Sequence, residues 1–456
     1  MNGEISGWVA KEFETLDFQS KRLEIRFKKA MSDISEQPDK SILLASGSRA
    51  RAKAAYRMLG NEKFDKESIL SAHRDAIEER SGEEMVLLAV QDTTSINYAT
   101  HAKTKDMGYN CEQTRGVNVH SCILITREGI PTGVVAQSII TRVEKETRGV
   151  SHQEKRMRPI EEKESYRWLE TMVKAGERAP KNVRVVHIAD REGDIYELYA
   201  LAQETGQEFV IRGICDRVDP ENKHVMKELR ERETAGKTEV TIPANRKKKT
   251  EEREAILRVQ YLRTEIKKPQ IRAKDPELAP SLTVTLIRMS EETPPGGEEG
   301  IEWILITNIE VKNAEDALVL ADYYRQRWKI ERFHYVLKSG CEIEELQQRS
   351  VHRLELMILM YSIITIHIMQ LTYLARNAPE TPCDLILSEK EWKTLYRAGN
   401  RTTIDAETPP SMQEAVRLIA KLGGRVGAKS DGPPGLKVIW MGLYSLYMLV
   451  TYRDVF

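Results

Sequence analysis

Four residues on one predicted helix bring together groups that could do chemistry. The stretch Tyr323–Gly340 reads YYRQRWKIERFHYVLKSG. Its helix is expected to open near Asn313, with Asp316 as a capping-box partner, and to stop at Gly340. At 100° per residue, Tyr324, Arg327, Glu331 and Lys338 fall within an arc of roughly 60°. One stripe therefore presents a phenol, a guanidinium, a carboxylate and an ammonium. The guanidinium offers an anion a two-pronged fork and the ammonium a point charge. An ion-paired amphipathic helix mixes charges too, usually as pairs four residues apart, and is the default reading for this stretch alone.

Two further carboxylates weigh against that default. Met85–Gln91 (MVLLAVQ) is a short apolar run ending at Asp92, and Arg184–Ala189 (RVVHIA) is a second, ending at Asp190. Apolar runs of this length read as buried strands. The carboxyl end of such a strand is where α/β sheets place their ligand sites. Each Asp could equally cap the next turn or helix. Two strand-end Asp together with a helix-borne Glu are harder to explain as caps.

The pattern Tyr-x2-Arg-x3-Glu-x6-Lys, here Tyr324, Arg327, Glu331 and Lys338, resembles the signature of the insertion sequence four family of bacterial cut-and-paste DDE transposases. Asp92-Thr93-Thr94 and Asp190-Arg191-Glu192-Gly193-Asp194-Ile195 are similar to its two Asp motifs. Arg115-Gly116 with Val119-His120-Ser121, Met157-Arg158-Pro159 with Glu162–Ser165, and Leu422-Gly423-Gly424 continue the match. The likeness covers nearly the whole chain and is weakest in the first twenty and last fifty residues.

The resemblance implies a ribonuclease-H-like α/β catalytic core with an inserted β-rich subdomain, a helical N-terminal DNA-binding domain and a helical C-terminal domain that dimerises. It implies that Asp92, Asp190 and Glu331 hold two divalent cations, Mg²⁺ or Mn²⁺, whose hard character suits carboxylate oxygens. It implies that Tyr324, Arg327 and Lys338 clamp phosphates and that Trp303 stacks on a flipped base, although a strand Trp is more often core. The partners implied are double-stranded DNA, as transposon ends and as target, and a second copy of the chain. A metal-dependent nuclease that cuts without joining, and a DNA-binding regulator that no longer cuts, are the rival readings.

The elements needed to position these residues can be read in order. At 456 residues the chain should divide into two to four domains. Residues 1 to about 70 read as helical and basic. Between Lys21 and Arg57 there are ten Lys and Arg against four Asp and Glu. Arg26 belongs to a first helix. Arg49, Arg51 and Lys53 belong to a second, capped by Ser46 or Ser48, and all four are candidate phosphate contacts. Residues 71–375 should carry the catalytic domain, as three strands, a helix over about 161–174, strand 184–189, a helix from Asp194 to about Gln203, and strand Glu208–Arg212. Arg212 is a further candidate DNA contact. The 141 residues from Asp190 to Glu331 leave room for a β-rich insertion at about 214–312, with loops at Asn245–Thr250 and Pro294–Gly297.

Leu356–Leu374 is apolar enough to suggest a membrane span, but Ser362, Thr365, His367, Gln370 and Thr372 favour a buried helix beneath the active-site helix. Residues 376–456 should be helical, with Val438–Val450 packed on the body or on another chain. The 70 Lys and Arg balance 70 Asp and Glu, so any DNA contact must rest on local clusters. Five scattered Cys without a CxxC spacing read as reduced cytosolic thiols. The first residues lack the layout of a signal peptide.

Overall fold

The computed structural model describes residues 5–82, 84–101, 103–142, 157–242, 251–273, 275–295, 300–425 and 433–452. Among these, nine strands form one mixed sheet: β1 (Val86–Asn97), β2 (Gly116–Thr126), β3 (Pro131–Ile140), β4 (Arg184–Ala189), β5 (Glu208–Arg212), β6 (Gly236–Ile242), β7 (Arg253–Lys267), β8 (Ser281–Glu291) and β9 (Glu302–Thr307). Their spatial order is β3-β2-β1-β4-β5-β9-β8-β7-β6. β4 runs parallel to β1 and to β5. The other neighbours are antiparallel.

Helices α1 (Gly7–Glu12), α2 (Lys21–Glu36), α3 (Ile42–Ala45), α4 (Arg49–Met58) and α5 (Lys66–Ser81) precede the sheet. Helices α6 (Tyr166–Arg178), α7 (Tyr196–Thr205) and α8 (Val225–Glu231) fall between its strands. Helices α9 (Ala314–Arg325), α10 (Trp328–Ser339), α11 (Val351–Asn377), α12 (Glu389–Asn400), α13 (Met412–Leu422) and α14 (Leu436–Tyr452) follow it. The apolar runs are apolar throughout because both faces of the central strands are covered. Leu88, Val90, Ile188 and Val210 join the core built on α11. Ala189, Phe209 and Ile211 join Trp168 and Tyr199 of α6 and α7.

Two expectations change. β1 does not end at Asp92 but runs on to Asn97, paired with β2. What ends there is its parallel pairing with β4, whose last partners are Val90 and Ile188. The β-rich insertion contributes β6 to β9, which add onto the catalytic sheet through the β5–β9 pair, with α8 packed against β7 and β8. The helix expected at 161–174 begins at Tyr166, after a separate tight turn at Ile160–Glu162. The loop at Asn245–Thr250 and residues Gly296-Gly297 lie outside the described residues.

Helix α11 is long and apolar enough to cross a membrane, yet 94% of its apolar window is buried inside the fold. Two of its buried polar side chains bond to β3. Ser362 Oγ accepts from Gln137 Nε2 of β3 at 2.7 Å, and Gln370 Nε2 donates to the Thr132 carbonyl at 3.2 Å. Helices α13 and α14 meet backbone to backbone, since a Cβ on Gly442 would lie 1.8 Å from the Ile419 carbonyl oxygen. Leu436, Ile439, Leu443, Leu446 and Tyr447 of α14 are buried, whereas Met441, Tyr444 and Leu449 are exposed.

The N-terminal helices are anchored by polar contacts. Helix α5 spans residue 70 and ties them to β3. Glu12 of α1 pairs with both His73 and Arg80 of α5. Arg80 Nη2 also donates to the Thr132 carbonyl at 2.8 Å. His73 Nε2 accepts from the Val134 amide at 2.9 Å, so its proton sits on Nδ1 and is donated to Glu12.

A second acidic contact joins α2 to α12. Burial, with Glu391 nearby, pushes the Glu36 carboxyl up to about 7. Burial also raises Glu391, which accepts from Ser388 N at 2.7 Å. Folding therefore favours the protonated acids. The Glu36 contribution is full below the unfolded carboxylate value and is lost as pH rises through about 7. The expected result is a melting temperature that falls between pH 5 and pH 8. Glu36→Gln should flatten that fall and stabilise the protein at pH 8, by on the order of 2 kcal/mol. Thermal melts across the range check this, and an unchanged slope in the variant would exclude the pair as its source.

Candidate active site

The parallel register brings the two aspartates together. Val90 stands opposite Ile188, the last pair of the ladder; Asp92 follows two residues on in β1 and Asp190 just past the end of β4, near enough for its charge to act on Asp92. Asp190 Oδ1 accepts from the Glu192 amide at 2.8 Å and so caps the turn Arg191–Gly193. Asp92 Oδ1 accepts from the Thr93 amide at 2.7 Å. Capping is thus true of Asp190 alone, since Asp92 lies inside β1.

The helix carrying Glu331 is broken, contrary to the single helix expected from Asn313 to Gly340. Around the break, Gln326, Arg327, Lys329 and Ile330 each donate to the carbonyl three residues back. This tighter turn separates α9 from α10 without a Gly or Pro. It sets Arg327 at the junction, where Nη2 lies 2.5 Å from Glu331 Oε1 and Nη1 3.7 Å from Asp92 Oδ2. At the start of α9, Asn313 accepts from the Asp316 amide, but Asp316 reaches back to the Lys312 amide, so the capping box is shifted by one residue.

Electrostatics tie the three carboxylates together. Burial pushes the Asp92 carboxyl up to about 7, and the charges of Asp190 and Glu331 push the same way, against the Thr93 amide and Arg327. Burial works against the charge on Arg327, but its hydrogen bond to Glu331 and the nearby Tyr324, Glu331 and Asp92 raise its pKa above the ordinary value. Tyr324 is buried and lies within the fields of Arg327, Arg212 and Asp190. Trp303 of β9 meets the Tyr324 ring edge-on at 6.1 Å. Asp92, Asp190, Glu331, Tyr324, Arg327, Arg212 and Trp303 therefore form one connected neighbourhood. Lys338 lies two turns beyond Glu331 on α10, about 10 Å along the axis.

The donors suit a hard cation, since all three are carboxylates and their mutual repulsion calls for positive charge. In this structure Arg327 supplies that charge. Among the described residues no three His, Cys, Asp or Glu side chains form a preassembled metal cluster.

Some contributors were not evident in the sequence. Arg167 Nε donates to Thr93 Oγ1 at 2.9 Å and its Nη2 to Glu192 Oε2 at 2.7 Å, bracing both Asp motifs. His120, opposite Thr93 in the β1–β2 register, shares a 2.8 Å hydrogen bond with the Thr93 hydroxyl and touches Gln91. The cross-strand pairing is the signal that would have found it. Asp194 plays an internal part: it accepts from the Ile214 and Cys215 amides at 2.7 and 2.8 Å and pairs with Arg217.

The remote N-terminal candidates divide. Arg49 and Lys53 are exposed on α4, and Arg26 is half-buried on α2. Arg51 does not join them, because it pairs with the buried Asp33 of α2. The helical period explains this, since position 51 lies about 160–200° round the wheel from 49 and 53.

Comparison with known families agrees with this layout. Residues 89–366 match the model of a transposase DDE domain, which encloses Asp92, Asp190 and Glu331. The chain belongs to the DDE transposase family. Residues 5–64 match a transposase DNA-binding model, and residues 363–453 a transposase Tn5 dimerisation domain. Together these matches place the transposase among Tn5-like members of the insertion sequence four family. A solved structure described as a piggyBac transposase synaptic complex with hairpin DNA is similar over 99% of this chain and 78% of its own, at 12% identity and a TM-score of 0.37. A likeness that low adds nothing to the assignment.

Proposed function

We propose that this transposase cuts and pastes DNA: it binds the inverted repeats at transposon ends, cleaves both strands through a hairpin intermediate, and joins the freed 3′ ends to target DNA. The observation that carries the reading is the placement of Asp92 in β1 and Asp190 just past the end of the parallel β4, with Glu331 linked to Asp92 through Arg327. The sheet order β3-β2-β1-β4-β5, with α6 and α7 in the crossovers, supports a ribonuclease-H-like core, extended by the 214–312 insertion and flanked by segments 1–70 and 376–456.

Asp92, Asp190 and Glu331 would hold two Mg²⁺ or Mn²⁺ ions, which activate the attacking oxygen and stabilise the leaving oxygen in phosphoryl transfer. With Glu331 engaged as a ligand, the Arg327 guanidinium fork would be available to a phosphate. Tyr324 and Arg212 hold the strand beside the scissile bond, Lys338 adds a point charge further along α10, and Trp303 offers a face to a displaced base. Arg167 positions the Asp motifs through Thr93 and Glu192. Arg26, Arg49 and Lys53 contact end-DNA phosphates, whereas Arg51 braces α4 on α2. The exposed Met441, Tyr444 and Leu449 of α14 supply an apolar face for a homodimer. The site of action is the bacterial cytoplasm, on nucleoid DNA.

The test is cleavage and joining of DNA that carries the inverted repeats, with Mg²⁺, by the wild-type chain and by Asp190→Ala. The expected products are a hairpin on the excised end and strands joined covalently to a second DNA, both absent with the variant. Cutting without joining would replace the reading with a simple nuclease. End binding without cutting would replace it with a regulator.

A further inference from the structure

Beside the active-site face of α10 lies a cationic cavity that the mechanism above does not use. It encloses about 350 Å³ and is lined by Arg325, Gln326, Lys329 and Arg332 from the α9–α10 junction, with Tyr373 and Asn377 from α11. Lys329 Nζ sits 3.7 Å from the centre of the Tyr373 ring, and the Arg376 guanidinium lies 5.7 Å from the same ring. Arg325 has Asp322 as an exposed partner. Lys329, Arg332 and Arg376 have no acidic partner within 4 Å among the described residues. Glu128 adds one acid to the same lining and lies near enough to Glu84 to raise that neighbour's pKa.

Cations that outnumber the acids of a half-buried cavity cost desolvation and mutual repulsion, and an anion relieves both. The fold holds them there deliberately close. The glycine at 129 has φ +85°, and a Cβ on it would come within 2.5 Å of Gln326 Oε1 and 3.0 Å of Lys329 Cε, so the β2–β3 hairpin presses against the wall of the cavity. Lys329 and Arg332 flank Glu331 in sequence, so one helix turns one face to the carboxylates and the next face to this cavity.

We infer that the cavity is a second phosphate-binding site, which takes a phosphodiester of the DNA backbone away from the scissile bond. The inference rests on the proposed reading that DNA lies along the carboxylates of α10. The phosphodiester has two available sources: the flanking DNA beyond the transposon end, or the target duplex at joining.

The experiment uses the full chain and the double variant Lys329→Gln/Arg332→Gln, with the exposed single variant Arg332→Gln in case the double variant folds poorly. Metal-free binding is measured against salt concentration for end DNA with flank, for end DNA trimmed at the boundary, and for target DNA presented to trimmed-end complexes. Losing one or two phosphate contacts should weaken binding about tenfold and reduce the salt slope by about 1–2 with at least one of these DNAs. A loss confined to flanked ends assigns the site to flank, and a loss confined to the last assay assigns it to target. Unchanged affinity and slope on all three DNAs by either folded variant would overturn the inference. Wild-type cleavage, scored separately, shows whether the underlying reading has failed instead.

Discussion

Glu331→Gln is expected to abolish cleavage of transposon-end DNA while leaving end binding within about twofold. The change keeps the shape of the side chain and removes its charge. Binding should survive because Arg26, Arg49 and Lys53 lie on other elements, and the amide can still accept from Arg327. Cleavage should fall by on the order of 10³-fold or more, the scale of losing one preorganised electrostatic group. The loss should persist at high Mg²⁺ if Glu331 is a ligand. Cleavage at the wild-type rate would remove Glu331 from the site, and joint loss of binding would point to misfolding of α10. A simultaneous gain in thermal stability would agree with relief of carboxylate repulsion around Asp92.

Arg80→Ala is expected to be the most damaging substitution away from the DNA. The Glu12 side chain is only 8% exposed and that of Arg80 14%. Burial raises the Glu12 carboxyl, but Arg80 and His73 more than offset it and hold the pKa well below the usual range. Removing Arg80 leaves the buried Glu12 carboxylate with His73 as its remaining partner and strips a donor from the Thr132 carbonyl. Breaking a buried pair from one side costs about 3–5 kcal/mol. The pH dependence has a definite sign. A depressed carboxylate contributes stability above its unfolded pKa, and that contribution disappears as pH falls through the folded pKa. The gap between variant and wild type should therefore hold its full size from pH 7.5 down to the ordinary carboxylate range and shrink only below it. Denaturant midpoints measure it. A loss under about 1 kcal/mol at pH 7.5 would mean that Glu12 reaches solvent.

What the sequence revealed of the site follows from how each part is encoded. Asp92 and Asp190 were legible because a strand buried on both faces must be apolar throughout, and the run ends where that burial ends. The stripe from Tyr324 to Lys338 was legible because helical spacing is local. The break at Gln326–Arg327 was not, since no Gly or Pro marks it and the tightening shows only in hydrogen bonds. Arg167 and His120 escaped because their link to Thr93 depends on cross-strand register. The β5–β9 pair joins residues nearly a hundred apart, and Glu36 meets Glu391 across most of the chain. Such contacts leave no local pattern. Arg51 misled because a basic residue on a basic helix looks alike whichever way it faces.

The continuity of the sheet across the insertion has a mechanical consequence. Trp303 on β9 is separated from Asp190 at the end of β4 by a single intervening strand, β5, which puts their strands about 10 Å apart at the usual spacing. Hydrogen-bonded ladders, and not a flexible tether, maintain that interval. On the proposed reading the protein is a ruler: the number of nucleotides between a gripped base and the severed phosphate is set by strand spacing, and the DNA must distort to match the gauge.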